Sequence, residues 1–278
     1  MADMKLDEVG IWTEIKLQIL RDYASAYATI LKKQKNIRHY AYIDGFAGAG
    51  THISEATGQE IDGSPVIALG LEFSHYHFID LNPQRTTRLQ QLADGKTNVT
   101  VHHGDCNDVL LKKVFPTCQY RDYRRALCVL DPYGLNPNWE VVRTAGQMKG
   151  VEIFLNFMIM DANMNVLWEQ PDSVGESQIV RMNAFWGDDS WRRAAYQTNP
   201  GLFGAIQQKR TNADVIRAYQ KRLKEVADFT YVPDPIPMRN SQGAVVYCLF
   251  FASHNKTGDM ITRAVFDRYR NGVYPNGR

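Results

Sequence analysis

The 278-residue sequence lacks the features that mark several classes of protein. It contains no Cys-x-x-Cys pair, so neither a disulfide framework nor a zinc site is expected, and a reducing cytoplasm fits. No apolar run approaches the about 18 residues that suggest a membrane-spanning helix. Residues 1–10 are acidic and polar, unlike a secretory signal peptide. These absences predict a cytoplasmic protein that does not enter a membrane.

The sequence also has little net charge. It has 32 Lys and Arg against 30 Asp and Glu, a formal charge of +2. Global electrostatics therefore does not indicate a nucleic-acid binder, and any basic surface must be local. There is no internal repeat and no low-complexity segment. A chain of this length can bury a sizeable core, so we predict a single domain over residues 1–278 with a helical insertion at 161–210.

The stretch most informative about function is residues 42–50, Tyr-Ile-Asp-Gly-Phe-Ala-Gly-Ala-Gly. An apolar strand ends in Asp44, and Gly45, Gly48 and Gly50 follow. A glycine-rich turn after a strand brings the backbone close to a nucleotide, because a Cβ would block the approach and such turns can need positive φ. The glycine order is G-x-x-G-x-G, whereas a dinucleotide-binding turn has G-x-G-x-x-G. An ordinary strand-to-helix turn is the alternative without a ligand.

This order, with an acid before it, resembles the first motif of class I S-adenosylmethionine-dependent methyltransferases. In that family the glycines lie under the methionine part and the ribose of the cofactor, and the acid lies close to the charged amino group. The resemblance assigns cofactor binding to Asp44, Gly45, Phe46, Gly48 and Gly50. The alternative, an NAD-dependent oxidoreductase, is disfavoured by the glycine order and by an acid placed for a cationic ligand.

Hydrophobic periodicity predicts alternating helices and strands along the chain. Thr13 and Ser64 are the expected N-caps of two of the helices. The predicted helices are 14–33, 65–73, 83–92, 107–114, 139–148, 211–226 and 258–270. The predicted strands are 38–44, 76–79, 99–102, 126–130, 151–157, 229–232 and 244–252. This order predicts an α/β, Rossmann-like class I methyltransferase fold, with a mostly parallel seven-stranded sheet and a C-terminal antiparallel hairpin.

Two further acids follow predicted strands. Asp80, which Leu81 follows, stands where nucleotide-binding α/β folds place an acid that binds the ribose. The alternative is that Asp80 caps the next helix. Asp105 follows the third strand, where class I methyltransferases commonly contact the adenine amino group. Cys106 either lines the adenine pocket or is a small buried apolar residue. Asp108 is predicted to cap the next helix.

A second motif, Asp131-Pro132-Tyr133-Gly134, follows the apolar fourth strand. It resembles the Asp/Asn-Pro-Pro-aromatic motif of enzymes that methylate amines of adenine and cytosine. There the polar residue accepts a hydrogen bond from the amine and the ring stacks on the extruded base. The second proline is missing here, and the motif is closer to the Asp-Pro-Phe-Gly of transfer-RNA guanine N2 methyltransferases. The resemblance makes Asp131, Pro132 and Tyr133 catalytic candidates, with Asp131 also near the cofactor; a tight turn is the alternative.

Several segments allow two interpretations. Residues 51–63 form either a flap near the ligand or a tolerated insertion. The charged residues 120–125 either contact phosphates or form a solvated connection. The aromatic and basic residues of 161–210 either bind nucleic acid or pack helices together. A helix before the first strand often closes over the cofactor in methyltransferases, so Trp12 and Tyr23 either contact the cofactor or pack in the core.

Across almost the whole length, the sequence resembles the three-Cys-motif partner (TcmP) proteins. This family implies a bacterial or phage methyltransferase and a separately encoded partner that carries the three cysteines. RNA or DNA is the expected substrate, and a module that binds S-adenosyl-L-methionine without turnover is the alternative. The resemblance rests on Ile11-Trp12-Thr13 with Lys16, residues 42–48, Gly63-Ser64-Pro65, Leu130-Asp131-Pro132-Tyr133-Gly134, Phe185-Trp186-Gly187-Asp188 and Phe251-Ala252-Ser253-His254.

Overall fold

A seven-stranded sheet forms the centre of the molecule. The computed structural model describes residues 6–201 and 204–270. Along the chain the sheet strands are β1 (His39–Asp44), β2 (His75–Asp80), β3 (Val99–His103), β4 (Arg124–Leu130), β5 (Val151–Phe157), β6 (Ile236–Arg239) and β7 (Val245–Ala252). In space the order is β6-β7-β5-β4-β1-β2-β3. Strands β1 to β5 are parallel, and β7 pairs antiparallel with both β5 and β6. The sheet is therefore mixed rather than mostly parallel, and the expected antiparallel hairpin closes it.

Helices cover both faces of this sheet. They are α1 (Ile11–Lys32), α2 (Ser64–Leu69), α3 (Pro83–Leu92), α4 (Cys106–Val109), α5 (Trp139–Gln147), α6 (Ile159–Asn165), α7 (Glu176–Trp186), α8 (Trp191–Ala195), α9 (Asn212–Glu225) and α10 (Lys256–Arg270). Alternate strand residues face opposite cores: Ala41 and Ile43 join one cluster, and Tyr40 and Tyr42 join the other. The second cluster includes the apolar stripe of α1, which explains that helix's three-to-four periodicity.

Several predicted boundaries are wrong, and α2 ends at Leu69 rather than at residue 73. Helix α1 begins after Gly10, so Thr13 lies inside it, and α2 follows Gly63, so Ser64 is its first residue rather than its cap. Strand β6 is Ile236–Arg239, whereas the predicted strand 229–232 makes only an isolated bridge. The prolines within residues 233–237 had argued against a strand in that segment. However, β6 is an edge strand, where a proline removes no required ladder bond.

Two connections also have more β structure than expected. In the predicted loop 51–63, the strands Thr51–Ser54 and Glu60–Asp62 form a hairpin, and Glu8–Val9 adds to it in parallel. The predicted insertion 161–210 contains α6, α7, α8 and the short 3-10 turn Pro171–Ser173. It then ends in an antiparallel hairpin of Tyr196–Gly201 and Gly204–Lys209, so it is not wholly helical. Over the described residues, no helix is both long and apolar enough to cross a membrane.

Candidate active site

The glycine turn after β1 is tied to both neighbouring strands. The Gly45 amide donates to the Val129 carbonyl at 2.9 Å, and the Ala47 amide donates to Ile79 at 2.9 Å. A Cβ on Gly45 would lie 2.8 Å from the Cys106 sulfur, so this position is closed to larger residues. Gly48 has a φ of 64°, and a Cβ there would meet no atom within 4 Å. The turn therefore combines a tightly held start with an open stretch of backbone at Gly48.

Asp44 ends β1 as a fully buried acid. Its Oδ1 accepts the Phe46 amide at 3.2 Å, while Oδ2 has no donor at hydrogen-bond distance within the described part of the chain. The Ser64 hydroxyl lies near this carboxyl and lowers its pKa, against the effect of burial. Burial raises the pKa of Asp44 to about 7, and the neighbouring Asp131 carboxylate acts in the same direction. A buried oxygen without a donor is costly, so this carboxyl is suited to receive one from a ligand.

Asp80 ends β2 and fixes the far side of the turn. Its Oδ2 accepts the Gly48 amide at 2.9 Å, and its Oδ1 accepts the Asn82 amide at 2.7 Å. The side chain that caps α3 is Asn82, so the helix-cap interpretation of Asp80 is wrong. Leu81 is largely exposed beside it. The structure thus links the second predicted acid directly to the glycine turn.

Asp105 lies at the start of α4, after β3. It is exposed, and its Oδ1 accepts the amides of Asn107 and Asp108 at 3.0 and 3.2 Å. The prediction that Asp108 caps this helix is therefore wrong: the cap is Asp105, and Asp108 pairs with Lys112. Cys106 is buried against the Gly45 position, and burial raises the pKa of its thiol well above the usual range.

The second motif places Asp131 directly after β4. Lys16 of α1 donates to its Oδ2, and Asn156 of β5 donates to its Oδ1. Pro132 is buried, whereas Tyr133 is 68% exposed. The motif thus presents a partly exposed carboxylate held by two donors, followed by an exposed aromatic ring.

The end of that motif is held by the segment after β5. The Leu135 amide donates to Asp161 Oδ2 at 3.1 Å, and Arg181 pairs with the same carboxylate at 3.0 Å. Asn165 also donates to Asp161, at 2.7 Å. The residues between β5 and α9 therefore help to fix the turn that carries Tyr133, a role that the sequence did not indicate.

A cavity of about 230 Å³ lies between the glycine turn and the second motif. Of the predicted site residues it is lined by Phe46, Gly48, Asp131, Pro132 and Tyr133. The others do not line it: Asp44, Gly45, Gly50, Asp80, Leu81, Asp105 and Cys106. The wall also includes Trp12, for which the sequence left two interpretations open, and Lys16, His52 and Tyr247, to which the sequence gave no site role. The cavity therefore joins the two motifs, while part of the predicted set lies around it.

The amino-terminal segment crosses the mouth of this cavity. Asp7 Oδ2 accepts the Tyr133 hydroxyl at 2.8 Å and Arg85 at 2.8 Å. Arg85 in turn lies 3.9 Å from Asp80. Asp7 therefore connects the end of the second motif to the acid beneath the glycine turn. The acidic character of residues 1–10 was visible in the sequence, but this position was not.

The structure bears on the aromatic residues whose roles were left open. Trp12 lines the cavity and also packs against the second core cluster, so its contact with a cofactor stays a prediction. Tyr23 is buried and donates to Glu152 at the opposite end of the parallel strands. Phe185, Trp186 and Trp191 are buried in the core, so these rings pack helices together. Of the residues missed in the sequence, Asn156 had a visible signal. It is a polar residue within an otherwise apolar end of a fully buried strand.

Comparisons with known proteins support the fold. No family model and no curated protein match the sequence. A Legionella pneumophila protein of the DUF519 family is similar in structure, with a TM-score of 0.54 over 94% of both chains at 11% identity. The N-terminal domain of EvdMO1, solved in the presence of SAH and D-fucose, has a TM-score of 0.43 at 11% identity, covering 86% of this chain and 84% of that one. The CurJ carbon methyltransferase has a TM-score of 0.44 at 11% identity, covering 85% of this chain and 54% of that one. The likeness to the Legionella protein shows a shared fold.

Proposed function

We propose that this protein is an S-adenosylmethionine-dependent methyltransferase that acts on an exocyclic amine of a base in RNA or DNA. The observation that carries the proposal is the cavity where the glycine turn faces the Asp131-Pro132-Tyr133 motif. The sheet order, with an antiparallel seventh strand, agrees with the class I methyltransferase resemblance of the sequence. The fold alone does not give a function, so the proposal depends on this site.

The residues around the glycine turn fit the cofactor. Asp44 does not itself line the cavity, but it offers the amino group a buried oxygen with no donor at hydrogen-bond distance, and the open space at Gly48 lets a ligand approach the backbone. In this assignment Asp44, Gly45, Phe46, Gly48 and Gly50 hold the methionine part, and Asp131 lies near it. Asp80 and Leu81 hold the ribose, and Asp105 and Cys106 border the adenine. When bound, the cofactor supplies an activated methyl group on a sulfonium.

Asp131 is the proposed acceptor of a hydrogen bond from the target amine. Asn156 fixes the orientation of its carboxylate through Oδ1. Each carboxylate oxygen can accept more than one hydrogen bond, so Oδ2 can bind the amine beside Lys16. Asp131 need not be a strong base, because the amine proton becomes acidic only after attack. The main contribution of these residues is alignment of the two reactants.

Tyr133 is proposed to hold the base. Its ring is exposed at the cavity, and Pro132 beneath it is buried, so the ring can stack on an extruded base. The Arg85 guanidinium lies 5.8 Å from the centre of the ring. Arg85 is paired with Asp7 in this structure, so it contributes to the site by holding the Tyr133 region rather than as a free charge.

Transfer of labelled methyl groups tests this function. The purified protein is incubated with methyl-labelled S-adenosylmethionine and separate pools of transfer RNA, ribosomal RNA, DNA and protein. We expect label in one of the nucleic-acid pools. Label only in protein would contradict the proposed substrate. Binding of NAD without binding of S-adenosylmethionine would contradict the cofactor and support an oxidoreductase.

A second candidate is a cofactor-binding module that serves a partner protein. The observation in its favour is that both Asp131 oxygens already have donors, Lys16 and Asn156. A partner would have to release Lys16 if the amine needs Oδ2 to itself. A three-cysteine protein, which the TcmP resemblance implies, is the proposed partner. Cofactor binding without turnover, both alone and with that partner, would favour the module, and turnover only with the partner would favour a partner-dependent enzyme.

A further inference from the structure

A second and larger cavity, of about 520 Å³, lies at the amino ends of the parallel strands β4 and β5, opposite to the end that carries Asp131. Its walls come from the ends of β4, β5 and β7 that are remote from Asp131, and from the second half of α1. A volume of this size is typical of sites for small molecules. None of the residues assigned to methyl transfer lines this cavity.

The charged groups that line this cavity are mainly cations. Arg125, at the start of β4, forms no ion pair in the described part of the chain and stacks on Tyr120 at 3.9 Å. Among residues 6–201 and 204–270, its side chain donates hydrogen bonds to two backbone carbonyls, those of Tyr120 and Arg124. Lys256 opens the 15-residue helix α10 and has no ion pair among the same residues. Lys149 is the third cation and pairs with Asp228. Two cations thus remain without a contacting anion among the described residues, although Arg125 is close enough to Glu152 to lower the pKa of that acid.

A buried hydroxyl in the same wall also has no partner. Tyr27 is only 7% exposed, and within residues 6–201 and 204–270 its hydroxyl makes no hydrogen bond. Arg125 and Glu152 are close enough to influence its titration. A buried hydroxyl normally finds a partner, because leaving it without one costs free energy. The missing partner of Tyr27 therefore indicates a ligand atom that accepts or donates a hydrogen bond.

The acid in this wall does not replace that ligand. Both oxygens of Glu152 are occupied, by the hydroxyls of Tyr23 and Ser253. Burial also raises the pKa of Glu152 to about 7, so much of its negative charge is absent at neutral pH. The positive end of the α10 dipole adds to Arg125 and Lys256 at this edge. The cavity therefore favours an anion.

We propose that this cavity binds the phosphate group of a small molecule. The Arg125 guanidinium suits a phosphate because its planar fork makes parallel hydrogen bonds to two oxygens. The amino end of α10 adds a favourable dipole, although its Thr257 amide already donates to Asn255 Oδ1 at 2.9 Å. Tyr27 donates its free hydroxyl to the same group. This proposal concerns a different edge of the sheet and does not rest on the methyltransferase assignment.

Calorimetric titration in phosphate-free buffer tests the proposal. The probes are inorganic phosphate, glucose 6-phosphate and, as a control, glucose. We expect saturable binding at one site for glucose 6-phosphate and no binding of glucose. Inorganic phosphate binding as tightly as the ester would show that the phosphate alone is recognised. Tighter binding of the ester would show that the rest of the cavity contributes.

Variants locate the binding. Arg125→Gln should lower the affinity for glucose 6-phosphate at least about tenfold, and Tyr27→Phe should lower it about threefold to tenfold. Each substitution removes a hydrogen bond to a charged group. Arg121→Gln, an exposed neighbour outside the cavity, should change nothing. Absence of saturable binding to the intact protein, or equal affinity in Arg125→Gln, would overturn the proposal. The proposal would also be overturned if Asp131→Asn abolished binding, because the probe would then occupy the other cavity.

Discussion

The two ends of β4 and β5 carry different chemistry. At the carboxyl ends, Asp131 lines a cavity beside the glycine turn, and Asn156 donates a hydrogen bond to it. At the amino ends, Arg125 and Glu152 border the larger cavity. The first end concentrates acids and an exposed aromatic ring, which suits a cationic cofactor and a base. The second presents unpaired cations, which suits an anion.

A buried acid at each end shows how such sites can be told apart. Burial raises the pKa of both Asp44 and Glu152 to about 7. Glu152 has a hydroxyl donor on each oxygen, whereas Asp44 Oδ2 has no donor at hydrogen-bond distance among the described residues, and the nearby Ser64 hydroxyl only lowers its pKa. A perturbed pKa is therefore common to both acids, and the missing hydrogen bond distinguishes them. We infer a structural role for Glu152 and a ligand-binding role for Asp44.

The largest expected effect is that of Asp131→Asn on methyl transfer. The substitution keeps the size of the side chain but weakens its hydrogen bond to the developing ammonium. We expect the rate to fall about 100- to 1,000-fold, similar to the loss of one preorganised partner in other active sites. Cofactor affinity should change much less. Rates from labelled methyl transfer and affinities from calorimetry measure the two effects.

The matched control is Asp108→Asn, which removes the charge of an exposed aspartate whose ion-pair partner in the described part of the chain is Lys112. Its transfer rate should equal that of the unmodified protein. If Asp131→Asn kept full activity with unchanged cofactor binding, the catalytic assignment of Asp131 would be wrong.

The next largest effect is expected at the other end, from Tyr23→Phe. Tyr23 is buried and donates to Glu152, so its loss leaves a buried acid with one donor fewer. We expect the free energy of unfolding to fall by about 1–3 kcal/mol. Cofactor affinity should stay the same, because Glu152 lies at the far edge. Denaturant unfolding and calorimetry check both, and a lowered cofactor affinity would remove the distinction between the two ends.

The comparison of Asp44 with Glu152 predicts a specific pH dependence. Asp44 binds a cationic group best when ionised, so affinity for S-adenosylmethionine should rise as the pH rises through about 7. From pH 6 to pH 8 the ionised fraction increases about tenfold, and affinity should follow. Asp44→Asn should flatten this profile. A profile that stays steep in Asp44→Asn would contradict the assignment.

Glu152→Gln is the control for that experiment. The pKa of Glu152 is raised from its ordinary value of 4.5 to about 7 in the folded protein. The folded state therefore holds the proton more tightly, and its stabilisation is present below pH 4.5 and lost as the pH rises through about 7. Glu152→Gln should remove this part of the stability profile, measured by unfolding from pH 4.5 to 8. It should leave the pH dependence of cofactor affinity unchanged.

Much of the fold could be predicted because local patterns specify it. The apolar runs of β1, β4 and β5 and the periodicity of α1 gave strands and a helix within a few residues of their observed positions. The hairpin within residues 51–63 was missed because its alternation is weak and its third strand, Glu8–Val9, lies far away in the sequence. Strand pairing of this kind depends on tertiary contacts.

The candidate site was predictable only in part for the same reason. Three motif residues lie at or just after the carboxyl ends of strands: Asp44, Gly48 and Asp131. Their position at the same end of the sheet could therefore be inferred from the parallel topology. Lys16 was not assigned a role beyond the family resemblance, because its contact with Asp131 spans 115 positions of the sequence. Asp7 was missed because it reaches Tyr133 only through the fold.

The smallest expected effect is that of Tyr133→Phe, the same chemical change as Tyr23→Phe at the opposite end. Tyr133 is exposed, and its hydroxyl bonds to Asp7 at the protein surface. Water can replace that bond, so the free energy of unfolding should fall by less than about 0.5 kcal/mol. The ring remains available to stack on a base, and methyl transfer should fall no more than about fivefold, the value of one ordinary hydrogen bond. Tyr133→Leu removes the aromatic face and with it about 1–3 kcal/mol of base stacking. The rate of methyl transfer should therefore fall further than in Tyr133→Phe. Equal rates for Tyr133→Phe and Tyr133→Leu would show that the ring does not hold the base.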